Sequence, residues 1–184
     1  MIQGIHYKLK KFKIIKKIDN DIILFKLKYF SDLRGYFIKL FENNELSKYF
    51  SGKVRQINYV KSKNIRIFRG FHYQSGKYSE NKLITCIKGK IQVIIIQANK
   101  KSKNFLKSYK FIISEKNKHF LLVPKNFANG YLVLEKNSEV IYLSNKDYNI
   151  KYEKKINPFD PKLKLNWDRK KLILSKKDRN IRFL

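Results

Sequence analysis

The stretch IRIFRGFHYQ, residues 65–74, combines dense Ile, Phe and Tyr with a central glycine and reads as a β-strand. In a regular strand alternate side chains share a face. Phe68, His72 and Gln74 are therefore expected on one side, with Ile67, Arg69, Phe71 and Tyr73 on the other. On that parity His72 and Arg69 point apart. Gly70 stands between them, and a bulge there would re-aim one of the two into the cavity of the other.

Outward from this stretch the same texture repeats. Candidate strands run over 14–18, 22–30, 36–41, 54–60, 65–73, 82–87, 90–97, 107–113, 119–123, 131–134 and 139–144, separated by Asn, Lys, Ser, Asp and Gly. One segment, 44–50, looks helical: it opens on Asn44 as a cap and places Leu46, Tyr49 and Phe50 on roughly one face. Turn signals at Lys88-Gly89, Pro124-Lys125-Asn126 and Asn157-Pro158 are expected to divide hairpins. So many short strands in series predict an all-β protein closed as a jelly roll or double-sheet barrel. With 184 residues and no repeat or linker, residues 1–184 are expected to form a single domain.

Composition excludes several classes. Apolar runs such as VIII at 93–96 are far too short to cross a bilayer, and the charged first ten residues do not read as a signal peptide, so a soluble cytoplasmic protein is expected. Cys86 stands alone, which excludes an intrachain disulfide and favours a small core residue over a nucleophile. The formal charge of +29 would suit a polyanion partner, but the 43 basic residues comprise seven arginines and 36 lysines spread along the whole chain. That pattern reads as a compositionally biased, solvated surface. With no recognition motif beside it, the charge argues against a nucleic-acid-binding barrel.

Chemistry-bearing motifs are sparse. The three histidines, His6, His72 and His119, lack the short spacing of a metal-binding barrel, so no metal is expected. No GxxxxGK loop, GxGxxG turn or GxSxG elbow is present, which removes nucleotide hydrolysis, dinucleotide redox chemistry and the commonest serine hydrolases. Acid/base chemistry remains. Taken alone, His72 could equally be a hydrogen-bonded wall residue and Lys82 one surface lysine among many.

RGFHYQ at 69–74 is followed by Lys82-Leu83, Gly89 and PKNFA at 124–128. DLRGYF at 32–37 and QINYVKS at 56–62 precede it, while Tyr142, DPKLKLNW at 160–167 and LSKKD at 174–178 follow. In this order and spacing the chain resembles the dTDP-4-dehydrorhamnose 3,5-epimerase family over nearly its whole length. The resemblance implies a cupin-type jelly roll with one or two short helices, a homodimer, and epimerisation at C3 and/or C5 of a nucleotide diphospho-4-keto sugar without a cofactor, for surface-polysaccharide synthesis. It assigns His72 as the base, Lys82 as the cation at the enolate oxygen, Tyr142 as the opposing proton donor and Asp178 as the carboxylate that orients His72. It points to Arg34 and Arg69 for the diphosphate, and to Phe37, Gln56, Asn58, Gln74, Asn129 and Tyr148 around the nucleotide or sugar.

Three departures leave the substrate open. Lys39 replaces the glutamate usual in thymidine enzymes, Asn129 replaces the histidine of GFAHGF, and the aspartate expected in GKIQVIII at 89–96 is apolar. A branch acting on GDP-linked 4-keto heptoses also carries asparagine at the position of Asn129. Another base, another sugar or inversion at one centre are therefore alternatives. So are a 3,4-ketoisomerase using the same base and a non-catalytic sugar-binding barrel.

Overall fold

The computed structural model describes residues 12–18, 21–165 and 171–184; His6 and the Asn166-Trp167 end of the DPKLKLNW segment lie outside these. In chain order the strands are β1 (Lys13–Ile18), β2 (Ile22–Lys26), β3 (Tyr29–Asp32) and β4 (Gly35–Ile38), then β5 (Gln56–Ser62), β6 (Phe68–Gln74), β7 (Lys82–Lys88) and β8 (Lys90–Gln97). They continue as β9 (Ser108–Ser114), β10 (His119–Val123), β11 (Phe127–Val133), β12 (Ser138–Ser144) and β13 (Glu153–Lys155). Helix α1 (Asn43–Phe50) follows β4, and the single turn α2 (Lys176–Arg179) lies near the C-terminus. Neither helix is long and apolar enough to cross a membrane.

One antiparallel sheet has the order β1-β2-β10-β7-β12-β5 and the other β13-β6-β11-β8-β9, with β3-β4 a separate hairpin. Consecutive strands are neighbours in β1-β2, β3-β4 and β8-β9; elsewhere the chain crosses between sheets. The turns at Lys88-Gly89 and Pro124-Lys125-Asn126 thus join strands of opposite sheets, correcting the expected hairpins. The physical reason is that period-two patterning reports which face of a strand is buried, not which strand lies beside it.

The core has three layers. Leu24, Ile84, Leu121 and Val140 of the first sheet meet Ile91, Val93, Ile95 and Val133 of the second in the barrel interior, and Cys86 is buried with them. Burial pushes the Cys86 thiol up to about 12, so it stays protonated and inert, as its reading as a core residue requires. Helix α1 covers the outer face of the six-stranded sheet, seating Leu46 and Phe50 against Ile23, Phe25, Leu122 and Leu143. The C-terminal segment covers the outer face of the other sheet, with Ile156, Leu163 and Leu172 packed on Phe68, Phe71, Ile94 and Ile96. Cover on both faces explains why β8 is apolar at consecutive positions.

Two local expectations change. Helix α1 begins at Asn43 with Glu42 in the capping position and no side-chain cap, so neither asparagine caps it. Glu42 is instead paired with Lys39 at 2.7 Å. The expected strand over 22–30 breaks after Lys26, where the Leu27 N–H donates to the Lys118 carbonyl at 2.7 Å and the chain departs into the β3-β4 hairpin.

Strand β6 carries the bulge. Arg69 stands opposite Tyr131 of β11 and His72 opposite Asn129, so three steps along β6 match two along β11. Gly70 adopts φ +133°, and a Cβ on it would lie 2.5 Å from the Gly130 Cα. Parity therefore resets at Gly70. Phe68, Phe71 and Tyr73 face the outer cluster, while Arg69 and His72 face the cavity, which overturns the face assignment of a regular strand.

Candidate active site

Strands β6, β7, β11, β12 and β13 and the C-terminal turn converge on a cavity of about 360 Å³. Beta-6 supplies Arg69 and His72, Lys82 opens β7, Asn129 lies within β11, and Tyr142 lies in the middle of β12. Asp178 arrives from the far end of the chain. Its approach is fixed by a parallel bridge between Ile67 and Ile173 and by Ser175, whose hydroxyl accepts the Asp178 N–H at 3.1 Å.

His72 and Asp178 form the tightest contact in the cavity, with Nε2 and Oδ1 2.7 Å apart. With Nε2–H donating to the carboxylate, Nδ1 carries the lone pair and is free to take a proton. Burial by itself would push Asp178 up. The hydrogen bond and charge of His72, with Ser175 and Lys155, outweigh it and hold the carboxyl below its usual range. On the other side of the ring, Glu153 Oε1 lies 3.8 Å from His72 Nδ1, so an imidazolium formed here sits between two carboxylates. The Asn129 side-chain amide donates to the His72 carbonyl at 3.0 Å and steadies the backbone beneath it.

Lys82 Nζ lies 5.9 Å from the centre of the Tyr142 ring. Burial, reinforced by the nearby charge of Glu80 and opposed by Arg69, raises Tyr142 above the usual phenol range. It is therefore a protonated donor at neutral pH. An imidazole, an amine and a phenol that can serve as base, cation and proton donor thus share one cavity, the set needed to form and quench an enolate.

The other residues singled out in the sequence divide. Tyr148 lines the same cavity, and Gln56 and Gln74 line a recess of about 100 Å³ that shares His72, Lys82 and Tyr142 with it. Gln74 secures the loop that carries Tyr148, donating to the Asp147 carbonyl at 3.1 Å and accepting from the Asn149 N–H at 2.7 Å. Asn58 stands across from Tyr142 in the β5-β12 register without lining the cavity. Arg34 and Phe37 are not brought to it. They line a separate recess of about 600 Å³ on the β3-β4 hairpin, where Arg34 pairs with Asp32 at 2.6 Å.

Residues 15–184 match the family profile of dTDP-4-dehydrorhamnose 3,5-epimerase. The chain belongs to that family. The Shigella flexneri enzyme of this name is 31% identical over 168 residues, covering 91% of this chain and 93% of the relative. The Escherichia coli (strain K12) enzyme is 29% identical, with 91% and 92% covered. Among solved structures, the Bacillus anthracis dTDP-4-dehydrorhamnose 3,5-epimerase, crystallised with TDP and PPi, superposes with a TM-score of 0.88 at 29% identity over 94% of this chain and 99% of that one. A Legionella pneumophila epimerase in complex with dTDP-4-keto-L-rhamnose gives 0.84 at 26% identity, with 91% and 89% covered.

This epimerase, an isomerase with a cupin-type jelly roll, also holds cavity residues that its sequence did not single out. Glu153 and Lys155 lie on β13, whose Glu-Lys-Lys sequence has no apolar position to mark a strand. Tyr131 stands in the sequence only as the first residue of an expected strand; it lines the cavity, and burial pushes its hydroxyl up to about 12, so it stays protonated. Glu80 precedes Lys82 by two residues, in a loop whose burial no local pattern announces.

Proposed function

We propose that this epimerase inverts C3, C5 or both in a nucleotide diphospho-4-keto sugar, with His72 as the base and no metal or redox group in any step. The observation that carries the reading is the His72–Asp178 pair, 2.7 Å apart, facing Lys82 and Tyr142 in one cavity. Nδ1 of His72 takes the proton from the carbon beside the ketone. The C–H electron pair moves toward the carbonyl oxygen, where the Lys82 ammonium meets the developing charge. Tyr142 returns a proton from the opposite face of the ring; the imidazolium of His72 then releases its proton to solvent and the Tyr142 phenolate regains one from solvent, so the centre inverts with no net change in composition.

The names of the relatives support a dTDP-linked sugar. Lys39, where thymidine enzymes carry glutamate, is held by Glu42 at 2.7 Å, so GDP-linked 4-keto sugars belong beside dTDP-linked ones in the test. Arg34 and Phe37 complete the diphosphate and nucleotide contacts from a second copy: their hairpin follows β2, whereas β5, β7 and β12 beside the cavity lie at the other side of the same sheet. The enzyme then works as a cytoplasmic homodimer in sugar supply for surface polysaccharide.

The deciding experiment incubates the enzyme with this panel in D2O and follows C3 and C5 by NMR. Deuterium enters at one or both centres, His72→Asn abolishes exchange, and Tyr142→Phe retains exchange while losing inversion. No exchange on any sugar, or full activity in His72→Asn, refutes the reading, and a product with its ketone moved to C3 identifies a ketoisomerase instead.

A further inference from the structure

Beside the cavity lies a buried carboxylate to which the proposed steps give no part. Glu80 is 9% exposed, and both its oxygens are engaged. Oε1 lies 3.0 Å from Lys82 Nζ, and Oε2 accepts a short hydrogen bond from the Ser144 hydroxyl. The register explains the arrangement. Lys82 and Ser144 are directly opposite in the β7-β12 pairing, and Glu80 spans them from the loop that leads into β7. Ser144 is itself fixed, since its Oγ accepts the Lys146 N–H at 3.2 Å. It also shares its strand face with Tyr142, two residues before it.

A lysine side chain is long and freely rotating, and an unrestrained ammonium would sample many positions in the cavity. Here one of its three N–H donors is tied to Glu80, leaving two for a ligand. The side chains of Lys82 and Glu80 are 14% and 7% exposed, so water competes little for the contact.

We propose that Glu80, braced by Ser144, is the positioning residue that aims the Lys82 ammonium at the ketone oxygen of the sugar. The assignment rests on the role given to Lys82 above. Both carboxylate oxygens of Glu80 are already engaged by Lys82 and Ser144, so it acts through Lys82. Its carboxylate also lets a cation reside beside the apolar wall of Ile84 without being left unpaired.

The test uses full-length enzyme, the sugars of the panel above, and the variants Glu80→Gln, Ser144→Ala, Lys82→Met and the Glu80→Gln/Lys82→Met double variant. Glu80→Gln keeps the shape of the side chain and should lower kcat by about 10²-fold, the scale of an ångström-sized misplacement of a catalytic group. KM should change little, because the nucleotide and diphosphate supply most of the binding. Added to Lys82→Met, Glu80→Gln should cost nothing more, since the group it positions is already gone. Ser144→Ala, which removes the brace alone, should lower kcat by a smaller factor that Lys82→Met also masks, and it decides the matter if Glu80→Gln fails to fold. Unchanged kcat in variants that fold, or independent effects in the double variant, overturns the assignment while leaving the epimerase reading intact. A wild-type enzyme inert on every sugar overturns both.

Discussion

Asp178 lies 106 positions from the histidine it contacts, and its effect is purely local. An asparagine there keeps the shape but presents an amide N–H to Nε2, which forces the ring into the tautomer whose Nδ1 carries the proton. Asp178→Asn should therefore fold, bind substrate with little change in KM, and lose about 10²–10⁴-fold in kcat, as expected when a base is held in the wrong tautomer. Steady-state kinetics with the wild-type substrate check this. The same carboxylate leaves a mark on stability. Its folded pKa is depressed, so its contribution is fully present above the unfolded carboxylate range and is lost as pH falls through the lower folded value. Denaturation midpoints measured from neutral pH into acid should thus fall less steeply in Asp178→Asn than in wild type. At this scale the sequence was legible in part. His72, Lys82, Tyr142 and Asp178 stood out through the motifs around them, whereas Glu80 and Glu153 sit in stretches dense with charge, where burial alone separates a site residue from a solvated one.

Among the elements, β8 and β10 were readable to the residue because their apolar runs are bounded by unambiguous turns. Beta-11 was expected to start at Tyr131 and starts at Phe127, since Asn129 and Gly130 look like turn residues yet lie within the strand. Asn129 supports the backbone of His72, and Gly130 accepts the close approach of β6. A Cβ at Gly130 would lie 2.8 Å from the Arg69 carbonyl oxygen, 2.8 Å from the Phe68 ring and 3.0 Å from that of Phe71. Gly130→Ala should therefore cost about 1–3 kcal/mol by overpacking. In a domain of this size that corresponds to a Tm lower by roughly 2–12 °C. Kinetics on the same variant should show both a lower kcat and a higher KM, because the strands that separate carry His72 of the proposed chemistry together with Arg69 and Asn129 of the proposed binding set. A Tm within a degree of wild type would refute this account of the bulge.

Across the whole molecule, a formal charge of +29 surrounds a cavity that holds Glu153 and Asp178, with Glu80 in the adjoining recess. Arg69, Lys82, Lys155 and Lys177 line the same cavity, so the basic excess reaches the site as well as the exterior. The proposed dimer makes a prediction that belongs to this scale alone. If Arg34 serves the cavity of the partner, Arg34→Ala and His72→Asn are each inactive, but a heterodimer of the two contains one site with both native residues. Unfolding and refolding an equal mixture should restore about a quarter of wild-type activity, the yield of random pairing in a two-fold dimer. No recovery in a mixture shown to contain heterodimers would place Arg34 in its own subunit's site or outside the site altogether. The alternation of strands between the two sheets has one more effect, on time. Tyr142 pairs with Asn58, and His72 with Asn129 and Asp178, so the walls of the cavity are strands that meet across long loops of chain. Loop closure on that scale places refolding among the slower, millisecond-to-second class of β topologies. The proposed catalytic groups come together only when the last of these distant pairings has formed, and recovered turnover is then a clock for the final step of folding.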